Sequence, residues 1–374
     1  MATSSDVVAR FGQRGKVEHG VRDYSIVGDA DASLANLVGQ LAHTLEAAGF
    51  TPAADASRAG IVLNLVDPEH PRPFRRKSRG TFVAALWARR DVPEDGLRET
   101  YPMLVRALAN ISLCYVPGTG VLFTTMERGH YLVPEGDGEL ASAVFHRLEP
   151  LATARLVIDN EFLTDLEPEL WGGDAFTQEI AEVGRRLGRL GLLPAPFPVE
   201  ELLDPRDLRH VARLYAIGGL SYGNLSARKD ERRFWMSASG VDKANLVVPG
   251  RDILLVSGYD EDNGRMLLSV PPDVEPRRVS VDAIEHWMIY GQNPAVGAIL
   301  HVHAWVEGIP ATDVNFPCGT AELATSVAEL VAAAPDPSSA VVGLRSHGIT
   351  ATGKTLGGIL DRIEPHLLRQ VPMT

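Results

Sequence analysis

The segment AVGAILHVHAW, residues 295–305, constrains the fold more than any other part of the sequence. Its first six residues, AVGAIL, form an uninterrupted apolar run that is typical of a buried strand. Successive side chains of a strand point to opposite faces, so His301 and His303 are predicted to lie on the same side. Two neutral imidazoles placed in this way can chelate one divalent cation. The alternative is a pair of partly buried histidines whose ring nitrogens bond to backbone carbonyls.

The length of 374 residues favours two domains, which we expect at 1–150 and 151–374. With 45% apolar and 22% charged residues, the composition is that of a globular protein. The formal net charge of −12 argues against nucleic acid or an anionic membrane as partner, because such surfaces are met by an excess of Lys and Arg. A small-molecule substrate or a protein partner is therefore expected.

Cysteine usage and apolar runs bear on the compartment. Cys114 and Cys318 are the only cysteines, so no disulfide framework can form, and a reducing, cytoplasmic location is expected. The N-terminus shows no apolar core long enough for a signal peptide, and no uninterrupted apolar run is long enough to span a membrane.

The spacing of apolar residues predicts an α/β domain at the N-terminus and a more strand-rich domain after it. In the first, strands are predicted at 23–29, 60–67, 81–88 and around 120–134, and helices at 33–49 and 97–113. In the second, helices at 176–191 and 205–219 precede four strands, a helix at 281–291, the strand ending in His301 and His303, and further elements up to a terminal helix at 356–371.

Two further residues are candidates for the same site. The stretch LRSHGIT places His347 in a Ser-His-Gly turn directly after an apolar strand, where a third ligand could approach. Ser280 is predicted to cap the helix at 281–291, which puts Asp282 in its first turn, where the helix dipole keeps a carboxylate ionised. Asp282 would be a fourth ligand or a general base. Three nitrogens with an open position are typical of a catalytic rather than a structural metal site.

Six motifs in register resemble the class II aldolase/adducin family over roughly residues 175–370. Residues 1–150 resemble no family that we recognise. The motifs are YGNLSAR (222–228), FWMSASG (234–240), VSVDAIEH (279–286), VGAILHVHAW (296–305), GTAELATSVAELV (319–331) and SHGITATGKTLGGILDRIE (346–364).

The resemblance implies a three-layer α/β/α domain with a largely antiparallel central sheet. The spacing of apolar residues places a smaller, unrecognised α/β domain before it. It also implies a divalent metal, zinc first and iron(II) second, and a homo-oligomer, with a tetramer favoured. By the same likeness the metal ligands are His301, His303 and His347, and the substrate contacts are Asn224, Ser239, Gly240 and Ser280.

The activity implied by the resemblance is that of a metal-dependent lyase. Such an enzyme cleaves or forms a C–C bond through a metal-stabilised enediolate, here on a small phosphorylated or carboxylated hydroxy-carbonyl compound. Asp282, nineteen residues before His301, stands where the aldolases have glutamate and the epimerases aspartate. Two alternatives remain open: a non-haem iron(II) oxygenase or decarboxylase on the same fold, and a non-catalytic adducin-like module. Cys318 is either near the pocket or a small buried hydrophobe.

Overall fold

The computed structural model describes residues 22–371 apart from 30, 79, 127–128, 137–138, 194–200, 215–222 and 370. The chain forms two compact units. Of the described residues, 22–154 and 201–214 belong to an N-terminal unit, and 155–193 and 223–371 belong to a C-terminal unit. Among the described residues, every helix is too short or too polar to cross a bilayer.

The N-terminal unit is built on a seven-stranded sheet with the order β2-β1-β3-β4-β5-β6-β7. The pairings from β2 to β5 are parallel, and β6 and β7 add antiparallel strands at one edge. The strands are β1 (Asp23–Val27), β2 (Thr51–Pro52), β3 (Ile61–Leu65), β4 (Phe82–Ala88), β5 (Ile111–Val116), β6 (Gly120–Thr125) and β7 (His130–Pro134).

Helices cover both faces of this sheet because its strands are apolar on both sides. Helices α1 (Ala35–Ala47) and α3 (Leu140–Thr153) pack in one buried cluster with the sheet, and α2 (Gly96–Arg106) supplies Met103 to a second cluster. Helix α5 (Pro205–Leu214) contacts α2, where the Arg106 guanidinium Nε donates to both carboxylate oxygens of Asp207 at 3.1 and 2.9 Å.

The predicted helix at 97–113 is wrong in its second half. Helix α2 ends at Arg106, the chain turns through Leu108 with a φ of 52°, and β5 begins at Ile111. The stretch ANISL reads as a continuation of the helical spacing. It forms a strand instead because β4 offers it a complete parallel hydrogen-bonding edge inside the core.

The C-terminal unit contains an eight-stranded sheet with the order β14-β15-β13-β9-β10-β11-β12-β8. Every pairing is antiparallel except β12 with β8, so the expected largely antiparallel sheet is confirmed. The strands are β8 (Asp159–Leu163), β9 (Asn224–Arg228), β10 (Phe234–Ser237), β11 (Ile253–Asp260), β12 (Arg265–Ser269), β13 (Ala298–Val302), β14 (Val341–Leu344) and β15 (Gly348–Gly353).

Helices form one layer on each face of this sheet. Helices α4 (Ala175–Arg189) and α8 (Leu356–Ile363) lie on the face that carries Trp235, whose indole donates to the α4 cap residue Asp174 at 3.0 Å. Helices α6 (Ala283–Gln292) and α7 (Ala321–Ala332) pack together on the opposite face, which carries His301. The expected α/β/α layering is thereby confirmed.

Two elements differ from the prediction. Strand β8 was not expected from the sequence, and it pairs in parallel with β12 at the sheet edge. The terminal helix predicted to reach residue 371 ends at Ile363 and continues as a single 3-10 turn over Glu364–His366. Pro365 accounts for the break, because proline lacks the N–H of a helix and restricts the residue before it.

Candidate metal centre

The structure brings His301, His303 and His347 together in the interior of the C-terminal unit. One ligand nitrogen from each ring lies within 4.8 Å of the other two, and all three side chains are buried. The Nε2 atoms of His303 and His347 are 3.1 Å apart. The ring centroids are separated by 4.6–5.0 Å. Among the described residues this is the one cluster of His, Cys, Asp and Glu whose ligand atoms all lie so close together.

Three neighbouring strands position the cluster. His301 is in β13, and His303 follows directly after that strand. His347 lies in the turn between β14 and β15, next to Ser346, whose φ of 61° is rare for a residue with a side chain. A Cβ atom on Gly348 would lie 2.4 Å from the carbonyl oxygen of Val302. Glycine at that position therefore allows the two histidine-bearing segments to approach each other.

Burial keeps the three imidazoles neutral. It lowers the pKa of His301 to about 4 and that of His347 to about 3, and it lowers the pKa of His303 well below its usual value. A neutral imidazole carries a lone pair on one ring nitrogen, and this is the form that coordinates metals. The donor set therefore fits a divalent transition metal such as zinc or iron(II).

The ring of His301 has the orientation of a ligand. A hydrogen bond to the backbone of Ile349 raises its pKa and so partly opposes the effect of burial. Its Nδ1 lies 3.4 Å from the Thr350 hydroxyl. Its Nε2 is buried and has no hydrogen-bond partner among the described residues. A ring held at Nδ1 with a lone pair left on Nε2 is the usual arrangement of a metal-binding histidine.

The expected helical start at Ser280 is wrong. Helix α6 begins at Ala283, and Asp282 is the residue before it, with no side-chain cap hydrogen bond. The Asp282 Oδ2 accepts instead from the Asn224 amide at 2.7 Å, because Asn224 lies beside His301 on β9 and faces α6. The Asp282 Oδ1 is buried and has no hydrogen-bond partner among the described residues.

The electrostatics of Asp282 also differ from the expectation of a readily ionised carboxylate. Burial raises its pKa, and the attraction of Lys243 and the hydrogen bond from Asn224 only partly oppose that effect. The side chain of Lys243 is itself buried, and burial lowers its pKa to about 8. Lys243 was missed in the sequence, although it stands only three residues after Gly240 in SGVDK.

A second acidic residue was also missed. Glu285 is one helical turn after Asp282 and shares its helix face, and burial followed by repulsion from Asp282 raises its pKa to about 8. The Thr350 hydroxyl donates to Glu285 Oε1 at 2.5 Å. The next residue, His286, has its Nδ1 2.7 Å from the Ser226 hydroxyl and lies in the core beneath the cluster.

The remaining predicted residues adjoin one another near Asp282. The segments around Ala238 and Val279 form an antiparallel bridge, with the Ser239 N–H donating to the Arg278 carbonyl at 2.8 Å. This bridge places Ser239 and Ser280 on neighbouring segments, and Gly240 has a φ of 69°. Their role as substrate contacts stays a prediction.

Cys318 lies at the cluster rather than in the apolar core. Its Sγ is 3.2 Å from His347 Nε2 and 3.7 Å from His347 Nδ1. The side chain is only partly buried.

The fold and the site together define an α/β protein with a buried three-histidine centre. Residues 209–306 match the family described as the class II aldolase and adducin N-terminal domain. The resemblance predicted from the motifs is thereby confirmed over that range, which includes His301 and His303 and ends before His347. No curated protein matches the chain in sequence.

Several solved structures are similar to about half of the chain. An L-fuculose 1-phosphate aldolase is 18% identical over 52% of this chain and 83% of its own, with a TM-score of 0.35. YgbL of Klebsiella pneumoniae, provisionally described as an aldolase/epimerase/decarboxylase, is 17% identical over 51% and 84%, with a TM-score of 0.33. A class II aldolase domain from Thermoplasma acidophilum is 17% identical over 50% and 89%, with a TM-score of 0.33.

Proposed function

We propose that this protein is a metal-dependent lyase that cleaves or forms a C–C bond in a small hydroxy-carbonyl compound carrying a phosphate or carboxylate. The observation that carries the proposal is the convergence of three buried, neutral imidazoles, with ligand nitrogens within 4.8 Å of one another. The family match over residues 209–306 supports a reaction of the aldolase or epimerase kind.

His301, His303 and His347 would hold a divalent ion, zinc in the first instance. When bound, the ion stabilises negative charge that develops on substrate oxygen atoms. Three protein ligands leave a coordination position open for the substrate, as catalytic zinc sites do.

Asp282 would move the proton. Its Oδ2 is held by Asn224 at 2.7 Å, and its buried Oδ1 is the atom able to accept a proton. In a cleavage, the substrate hydroxyl gives its proton to Oδ1 as the C–C bond breaks. The same proton then passes to the carbon atom that keeps the electron pair. A carboxylate with a raised pKa suits this exchange, because it holds a transferred proton more readily than an ordinary carboxylate does.

Ser239, Gly240, Ser280 and Asn224 would contact the anionic group of the substrate. Short hydroxyls and backbone N–H groups at a glycine turn suit a phosphate or a carboxylate. The buried ammonium of Lys243 balances the negative charge of Asp282 and of an anionic substrate in the same region.

The test combines metal analysis of the purified protein with a lyase assay on a panel of hydroxy-carbonyl phosphates and carboxylates. The proposal expects stoichiometric metal and a cleavage product with no uptake of oxygen. Iron with substrate-dependent oxygen consumption would replace the lyase by an iron(II) oxygenase. A protein that takes up no divalent metal would be a non-catalytic module of the adducin kind.

We further propose, from the family resemblance, that the chain acts as a homotetramer. Light scattering at micromolar concentration measures the mass directly, and a monomer there would contradict this assembly.

A further inference from the structure

We propose that Cys318 is an additional ligand for the ion held by the histidine cluster. This inference rests on the proposed function, since it presumes that His301, His303 and His347 bind a metal. It begins from one contact: Cys318 Sγ lies 3.2 Å from His347 Nε2, the same nitrogen that lies 3.1 Å from His303 Nε2.

These separations are close to those of ligands that share one ion. With Zn–S near 2.3 Å and Zn–N near 2.05 Å, tetrahedral geometry separates sulfur from nitrogen by about 3.6 Å and two nitrogens by about 3.4 Å. The buried Nε2 of His301, which has no hydrogen-bond partner among the described residues, completes the nitrogen set. The three histidines thus define where an ion would be held, and the sulfur borders that place.

The sulfur stands beside the cluster rather than inside it. The group whose ligand atoms all lie within 4.8 Å of one another contains the three histidines and not Cys318. A cysteine has a single side-chain torsion, and a change of rotamer moves its sulfur by about 3 Å. Rotation about this one bond can therefore bring the sulfur into the coordination sphere or withdraw it.

The backbone that carries Cys318 is held in place from both sides. The Thr320 hydroxyl donates to the Pro317 carbonyl at 2.8 Å, and the Val157 N–H donates to the Gly319 carbonyl at 2.7 Å. Gly319 has a φ of 73°, and its N–H interacts with the Asp282 carboxylate. A Cβ there would lie 2.7 Å from Ile158 Cγ2. The turn therefore holds the backbone of Cys318 beside His347, and the side-chain torsion alone sets where the sulfur lies.

Coordination by Cys318 would give the site a soft donor. The thiol releases its proton to solvent, and the sulfur lone pair forms the bond to the ion, with no change of oxidation state. A thiolate beside three imidazoles favours zinc, cobalt(II) or iron(II) over magnesium and manganese. The sulfur would then occupy the coordination position that a substrate needs. Rotation of the Cys318 side chain would free this position.

The test uses cobalt(II) as the probe, added to the full-length protein after chelation of any bound metal. Cobalt(II) bound by a thiolate has a charge-transfer band in the near ultraviolet that imidazole ligands alone do not produce. We expect the band in the wild type, its loss in Cys318→Ser and Cys318→Ala, and retention of cobalt by both variants. Cys114→Ser is the matched control, because Cys114 is the other cysteine and is buried in the N-terminal unit.

The outcomes separate the two proposals. Cobalt bound through His347 without a charge-transfer band overturns the role of Cys318 as a ligand and leaves the histidine centre standing. The same holds if the band persists in both Cys318 variants. A wild type that takes up no cobalt, or a His347→Ala variant that binds it fully, overturns the histidine centre and the inference together. Cadmium NMR of the wild type reports thiolate ligation without any variant, should the Cys318 variants fail to fold.

Discussion

His303 and His347, forty-four residues apart in the chain, have their Nε2 atoms 3.1 Å from each other in a buried site. Burial lowers the pKa of both rings, so the neutral forms are favoured at pH 7. Two neutral rings at this distance either share one N–H, which donates to the other nitrogen, or direct both lone pairs at a common cation. The second arrangement is the one that the proposed metal centre requires.

The first prediction concerns the loss of a ligand. Loss of a side chain that only hydrogen-bonds a metal ligand lowers metal affinity by roughly 10–100-fold. His347→Ala removes a ligand itself, so it should lower the affinity for zinc or cobalt(II) by more than that. Equilibrium dialysis against a competing chelator measures the change. His70→Ala is the control, because that side chain is 84% exposed in the N-terminal unit. Unaltered metal binding by His347→Ala would show that the third ligand has been misassigned.

The second prediction concerns the base. Asp282→Asn should keep the metal, because Asp282 lies outside the group of close ligand atoms, while turnover falls by about 10²–10⁴-fold. The asparagine can still accept from Asn224 through its carbonyl oxygen. The exposed Asp273→Asn should change neither quantity. Joint loss of metal and turnover would make Asp282 a ligand, and full turnover would remove it from the reaction.

The third prediction concerns pH. The folded-state pKa of Glu285 is about 8 against an ordinary value of 4.5, so the folded state binds its proton more tightly than the unfolded state. The associated stability is present below pH 4.5 and is lost as the pH rises towards 8. Glu285→Gln stays neutral throughout, so its free energy of unfolding should fall less than that of the wild type over this range.

Urea unfolding of chelated protein between pH 5 and 8, the range set by the pKa of Glu285, measures this difference. Glu329→Gln, on the exposed surface of α7, should follow the wild-type curve. Parallel curves for the wild type and Glu285→Gln would mean that Glu285 is ionised in the folded protein.

The fourth prediction concerns the backbone between the histidines. Gly348→Ala would place a Cβ atom 2.4 Å from the Val302 carbonyl oxygen, so it should lower the free energy of unfolding by about 1–3 kcal/mol and weaken metal binding. Gly291→Ala is the control, because its Cβ meets nothing within 4 Å and lies in helix α6. Thermal unfolding and metal titration measure both effects. Wild-type stability and metal binding in Gly348→Ala would mean that β13 and β15 can move apart with no loss of folding free energy.

The α/β class of the N-terminal unit and the placement of His301 and His303 on one face of a strand were predictable from the sequence. Both depend on local periodicity, since a strand repeats every two residues and a helix every 3.6. His347 was found from its place after an apolar strand and from the family motifs. The limits of several elements were missed where a neighbouring strand or a proline competed with local preference, as at Ile111 and Pro365.

The surroundings of the histidines could not be predicted from the sequence, because they depend on how distant segments pack. Asn224 turns the carboxylate of Asp282 away from a helix cap, the burial of Lys243 and Glu285 shifts their pKa values, and Cys318 lies beside His347. These effects depend on distances between segments that are far apart in the chain, and on the loss of water around charged groups. Neither is encoded in the spacing of residues along one segment, because burial and contact arise only when β9, β13, β15 and α6 pack together.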